Sequence, residues 1–168
     1  STAINKPIYL AVNSTETQHT KVSYSEIEVV EDSSHLEHDR VREVLMHFGV
    51  SSNIEISSFS QIPTVGTGLG SSSSFTVGLI KAVATMRGIP LNRYELAELA
   101  CHIEINKCKE PIGKQDQYAA VFGGLNIMYF DKNHTAVVPF NISSQTLFDL
   151  KSNLLFFDTG ITRKASSV

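Results

Sequence analysis

Apolar positions recur along this chain in two periods, and each predicts its own kind of element. Runs with period two, or rich in Ile, Val and Tyr, predict strands at Ile4–Asn13, Lys21–Val30 and Asn53–Phe59. Leu125–Phe130 and Thr135–Phe140 read as the arms of a hairpin turning near Asn133, and Leu154–Asp158 as a last apolar strand. Helical spacing places Val41, Val44, Leu45 and Phe48 on one face of a helix over His35–Phe48, stopped by Gly49. Ser72–Arg87 is apolar nearly all round, which predicts a buried helix, ended by Gly88 and Pro90. Asn92 with Glu95 makes a capping box for a helix carrying Leu96, Leu99, Ala100 and Ile103 and running to about Lys107. Short helices follow at Asp116–Phe122, before Gly123-Gly124, and at Ser143–Leu150. Strands and helices in this mixed order predict an α+β fold.

Composition and charge act mainly by exclusion. At 168 residues, 42% hydrophobic and 18% charged, the chain suits one domain, or one and a fragment, with a real core. A net charge of −3 without a basic stripe argues against a nucleic-acid partner. The longest apolar runs, such as Leu154–Phe157, are too short to cross a bilayer, and Lys6 and Pro7 interrupt any signal-peptide core. No membrane partner is therefore expected. Cys101 and Cys108 would lie about 10 Å apart along a single helix, too far to bridge. No metal-site spacing is present, and two free thiols favour a reducing, cytoplasmic setting. The chain opens on a strand without a methionine and closes at Thr162–Val168, which reads as a first helical turn capped by Thr162. The expectation is a piece of a longer protein.

Chemistry concentrates in two places. Pro63 to Ser74 sets Gly66, Gly68 and Gly70 at alternate positions and runs through four serines into the apolar helix. Glycines let a backbone come close to a ligand, and the free N–H groups and positive dipole end of a helix make an anion site. The loop lacks the Lys-Ser/Thr pair of a P-loop, and its G-x-G-x-G spacing is not the dinucleotide fingerprint. The alternative is a flexible linker; Pro63 and the abrupt start of an apolar helix argue against it. The second place is Glu104 to Gln117. One carboxylate there can hold Mg²⁺, a hard cation that shares oxygen ligands with phosphates. The other can orient or deprotonate a hydroxyl. A plain helix-start acid remains the alternative for Asp116, and a solvated helix face for Glu104.

Pro63 to Ser74 resembles the second signature motif of the GHMP kinases, the family of galactokinase, homoserine kinase, mevalonate kinase and phosphomevalonate kinase. Glu104 and Asp116 stand where that family has its magnesium-binding glutamate and catalytic aspartate, and Gly123-Gly124 before an apolar strand also matches. Ile112–Ala120 and Asp158–Arg163 most resemble the bacterial kinases of heptose 7-phosphate.

The resemblance implies a two-layer α+β fold like ribosomal protein S5 domain 2. It implies an ATP-binding domain over 1–158 and the start of a connection to a further domain at 159–168. It implies an ATP- and Mg²⁺-dependent sugar kinase acting on the anomeric hydroxyl of a heptose 7-phosphate. A fucose or other sugar 1-kinase, or a catalytically silent binding relative, are the alternatives. By the same resemblance Gly66, Gly68, Leu69, Gly70, Ser71, Ser72 and Ser73 wrap the ATP phosphates. Ser72 and Glu104 hold the metal, and Asp116 acts on the hydroxyl. Lys114 lies near enough in sequence to lower the pKa of Asp116 or touch a phosphate; a solvated lysine is the alternative. Thr159 and Arg163 are candidates for contacts with the substrate or a phosphate, Arg163 with the sugar phosphate; a surface arginine near a helix start is the alternative for Arg163. The family's first glycine-rich motif and its C-terminal domain have no counterpart here, so the 168 residues alone are expected to turn over little.

Overall fold

In a computed structural model, which describes residues 1–61, 68–132, 134–155 and 157, a four-stranded sheet carries a layer of helices on one face. The strands are β1 (Ile8–Ser14), β2 (Thr20–Ser23), β3 (Ile27–Val30) and β4 (Ile54–Ser60), in the order β1-β4-β2-β3. β4 runs antiparallel to β1 and parallel to β2. A parallel pair needs a crossover, and β3 with helix α1 (Asp39–His47) supplies it. Helix α2 (Ser71–Met86) lies at the centre of the helical layer, beside α1, α3 (Arg93–Cys101) and α4 (Gln115–Phe122).

The alternation of the strands decides which face is covered. Val22, Ile54 and Ile56 point into the core, where Val41 and Leu45 of α1 and Leu79, Ile80 and Val83 of α2 meet them. Tyr9 and Phe59, paired across β1 and β4 on the other face, stay exposed. At Gly78 the helix comes so near β1 that an added Cβ would stand 2.6 Å from Leu10 Cδ1. A second cluster of Ala97, Cys101 and Tyr118 carries Met128 and Val137 of the hairpin β5 (Asn126–Phe130) and β6 (Thr135–Pro139). The α+β architecture expected from the pattern is the one observed.

Several elements differ from the sequence expectation. Lys21–Val30 is a hairpin rather than one strand: the backbone turns at Tyr24–Glu26, where the Tyr24 N–H donates to the Glu26 carbonyl at 2.9 Å. The helix expected from His35 starts later, after a 3₁₀ turn at Ser33–His35. The Glu28 carboxylate holds that break by accepting from the Glu37 and His38 N–H groups at 2.6 and 3.1 Å. Residues 1–3 leave the main sheet and bind the start of β5. There Thr2 bridges Leu125, and the Ala3 N–H donates to the Gly124 carbonyl at 2.9 Å. Helix α5 (Ser144–Ser152) buries none of its residues. The expected strand at 154–158 does not form at Leu154, Leu155 and Phe157, all exposed; its residues 156 and 158, like the Asn133 turn, lie outside the described residues. Both cysteines are free, and burial pushes each thiol up to about 12. No helix among the described residues is long and apolar enough to cross a membrane.

Candidate active site

The N-terminus of α2 and the first turn of α4 converge. Gly70 caps α2 with φ +67°, a conformation that disfavours side chains. A Cβ built on it would lie 3.5 Å from Asp116 Cγ. Glycine is needed here for the left-handed turn into the helix, while the 3.5 Å spacing is ordinary contact that places the carboxylate directly beside that turn. The sixteen-residue helix behind Gly70 turns its N-terminus, the positive end of its dipole, toward the same place. Gly68 also takes a positive φ, +66°. Pro63 and Gly66, at the head of the loop, lie outside the described residues, as do Thr159 and Arg163.

Glu104 is fully buried, which overturns the solvated-face reading. It belongs to a π-helical segment, His102–Lys107, that continues α3; such widened turns are frequent at functional sites. Ala97, Ala100, Cys101 and Glu104 follow one another at helical spacing along the buried side. The carboxylate is surrounded by donors. Oε1 accepts from Thr76 Oγ1 at 2.8 Å and from Arg40 Nε at 3.2 Å. Oε2 accepts from Ser73 Oγ at 2.8 Å and from Gln117 Nε2. Buried charge is tolerated when it is paired and hydrogen-bonded, and Arg40 supplies the pairing. The hydroxyls that meet Glu104 are those of Ser73 and Thr76. Ser72, half-buried in the same turn, contributes its carbonyl to Thr76 at 3.1 Å instead.

Asp116 remains accessible at the start of α4, with its carboxyl beside Gly70. Loss of solvation, and secondarily the Glu104 charge, pushes it above the ordinary carboxylate range. Lys114 does not lower it. Its Nζ is engaged by both Glu98 oxygens at 3.0 and 2.9 Å, and that carboxylate also accepts from Tyr118 Oη. The expectation that Lys114 tunes Asp116 is therefore corrected.

The donor set suits a hard cation. Among the described residues no three His, Cys, Asp or Glu cluster as a metal cage. Mg²⁺ needs none, because it takes one or two carboxylates, water and substrate phosphates. Gln117 Oε1, next to the Glu104 carboxylate, is buried without a hydrogen-bond partner, an acceptor left over for a cation or a water. Glu104 has about four lone-pair sites, and four protein donors occupy them, so a cation reaching it must displace one. Gln117 and Arg40 were not identified from the sequence. Gln117 had a signal, its place in the helical register of α4 beside the buried Tyr118; Arg40, 64 residues from its partner, had none.

Comparison with known proteins gives a consistent result. The family described as GHMP kinases N terminal domain matches residues 28–124. A D-glycero-alpha-D-manno-heptose 7-phosphate kinase of Campylobacter jejuni is 39% identical over 117 residues, 69% of this chain and 34% of that protein. A mevalonate kinase of Saccharolobus solfataricus is 32% identical over 66% of this chain and 34% of its own length. Among solved structures, a D-glycero-D-manno-heptose 1-phosphate kinase from Bacteroides thetaiotaomicron superposes with a TM-score of 0.78 at 27% identity. That match covers 88% of this chain and 52% of the other. The chain thus spans about a third of the curated relatives it matches and about half of the solved structure.

Proposed function

This chain belongs to the GHMP kinases, and from that premise we propose that it supplies the phosphate loop and catalytic carboxylate of an ATP-dependent sugar kinase. The acceptor we assign is the anomeric hydroxyl of a heptose 7-phosphate, in keeping with the heptose kinases among its relatives. The observation that carries this reading is the closeness of Gly70, at the α2 N-terminus, to Asp116: a Cβ built on the glycine would lie 3.5 Å from Asp116 Cγ. An anion held by the helix start and a hydroxyl held by Asp116 would be neighbours there. That is the geometry phosphoryl transfer asks for, since its catalysis is mostly positioning and charge neutralisation.

In this reading the backbone at Gly66, Gly68, Leu69 and Gly70 and the amides of Ser71 to Ser73 cradle the ATP phosphates. Glu104 and Ser72 are the proposed Mg²⁺ ligands; when bound there, the metal would offset the negative charge of those phosphates. Asp116 accepts or orients the hydroxyl proton, and its raised pKa moves it toward the range where a general base is effective. Lys114, held by Glu98, is left out of the phosphate set. Thr159 and Arg163 are retained as candidates for the sugar's own phosphate. The setting we assign is cytoplasmic, with no nucleic-acid or membrane partner.

The test is Asp116→Asn in the full protein, assayed with ATP and a panel of sugars and sugar phosphates. Turnover should fall about 100- to 10,000-fold while ATP binding persists. Unchanged turnover would remove Asp116 from the mechanism. Turnover with fucose and none with heptose phosphates would move the acceptor elsewhere in the sugar 1-kinases.

A further inference from the structure

The four donors on Glu104 are not equally fixed. Ser73 and Thr76 belong to the buried start of α2, and Gln117 is buried on α4; all three are neutral. Arg40 is different in three respects. It carries charge, it reaches in from the first turn of α1 on a long side chain, and at 3.2 Å its Nε makes a looser contact than either hydroxyl. It also has a second anchor. Its Nη2 donates to Glu110 Oε1 at 2.7 Å, on a carboxylate that is 29% exposed, against 0% for Glu104. The loop between the two acids is folded to offer that anchor, with the Glu110 N–H donating to the Glu104 carbonyl at 3.0 Å and Lys109 at φ +58°.

We propose that Arg40 is a displaceable counter-ion. It occupies Glu104 while the metal is absent and withdraws onto Glu110 when metal and nucleotide arrive, so it sets the Mg²⁺ concentration at which the site loads. This rests on the reading of Glu104 as the metal carboxylate. A guanidinium and a divalent cation at one carboxylate oxygen repel each other, and only Arg40 can leave without stranding a buried polar group. Withdrawal costs little because its shorter ion pair, to Glu110, is kept. The guanidinium fork spans both acids, with Nε on Glu104 and Nη2 on Glu110. Arg40 is thus a positioning residue that acts through Glu104.

The experiment is calorimetric binding of a non-hydrolysable ATP analogue to the full protein across a Mg²⁺ titration, with melting curves to verify folding. Arg40→Met should lower the half-saturating Mg²⁺ concentration roughly five-fold or more. Glu110→Gln should raise it by a similar factor, because Arg40 loses its shortest ion pair and, with only the 3.8 Å contact to Asp39 left besides, stays on Glu104. A purely structural Arg40 would shift both variants the same way, or neither, and either result overturns the proposal. Glu110 is partly exposed and the change is isosteric, so an unchanged Mg²⁺ requirement in that variant alone is also decisive. If the wild-type protein binds the analogue with no Mg²⁺ dependence, the metal-site reading falls with it. If wild type depends on Mg²⁺ and the variants do not diverge, only the role of Arg40 falls.

Discussion

Asp116 sits in a place that penalises its charge. Its carboxyl pKa is raised in the folded chain by loss of solvation and by Glu104, so the folded state holds the proton more tightly than the unfolded one. Such a group costs nothing where both states are protonated. The cost grows as pH rises past the ordinary carboxylate value of about 4 and is fully present above the folded value. Asp116→Asn should therefore raise the melting temperature at pH 7, and the gain should shrink toward pH 4 and vanish below it. A variant that melts lower at pH 7 would contradict this. Gain of stability with loss of turnover is what a carboxylate kept for chemistry predicts. At this scale the sequence made Asp116 and Glu104 legible as acids but not their surroundings. A glutamate in a helical pattern reads the same whether it meets water or four donors. The run Ala97, Ala100, Cys101, Glu104 was the available sign that this one faces inward. Arg40 carried no sign, because an arginine in the first turn of an amphipathic helix is ordinary and its partner is set by tertiary packing.

Among the elements, α2 is the most constrained, since it forms both the centre of the core and the rim of the site. It meets β1 at Gly78, where an added Cβ would come within 2.6 Å of Leu10 Cδ1, the tip of a half-buried side chain. Gly78→Val should force the Leu10 side chain to repack and cost about 1–3 kcal/mol in denaturant unfolding. Lys81→Val, at an exposed position of the same helix, should cost less than about 1 kcal/mol, the helix-propensity difference alone. Equal losses would show that the close approach is not what matters. The helices were the legible elements, because apolar spacing and the Asn92–Glu95 box are local signals, and that box is present with both of its hydrogen bonds. The misread strand at Lys21–Val30 shows the limit. Its turn at Tyr24–Glu26 uses no glycine or proline, so the β-branched residues on either side read through as one run. The widened turn around Glu104 was likewise invisible, since π and α turns share the same residue types.

For the whole molecule, fold class was legible and strand order was not. Mixed elements and a single apolar helix pointed to α+β, but the placement of β4 between β1 and β2 depends on pairings 34 to 52 residues apart. The detachment of residues 1–3 from β1 was equally unpredictable, because their partner is Leu125. That attachment has a consequence for how the molecule comes apart. The two sheets are joined by the Thr2–Leu125 bridge and its flanking bonds, including the Ser1 amine to the Asn126 carbonyl at 2.8 Å. The hairpin also rests on the second cluster through Met128 and Val137, on the Tyr118 ring through Phe130, and on Tyr94 Oη, which accepts from the Val137 N–H at 3.2 Å. It can therefore swing open as a unit while β1, β4 and β2 stay paired, and native-state amide exchange should reveal a foldon boundary there. The amides of β5 and β6 should exchange together, through an opening easier than global unfolding, while Val22 and Ile56 exchange only with the whole fold. Deleting Ser1 to Ala3 should speed the hairpin and leave those core amides unchanged; one common rate throughout would mean that the molecule opens only as a whole.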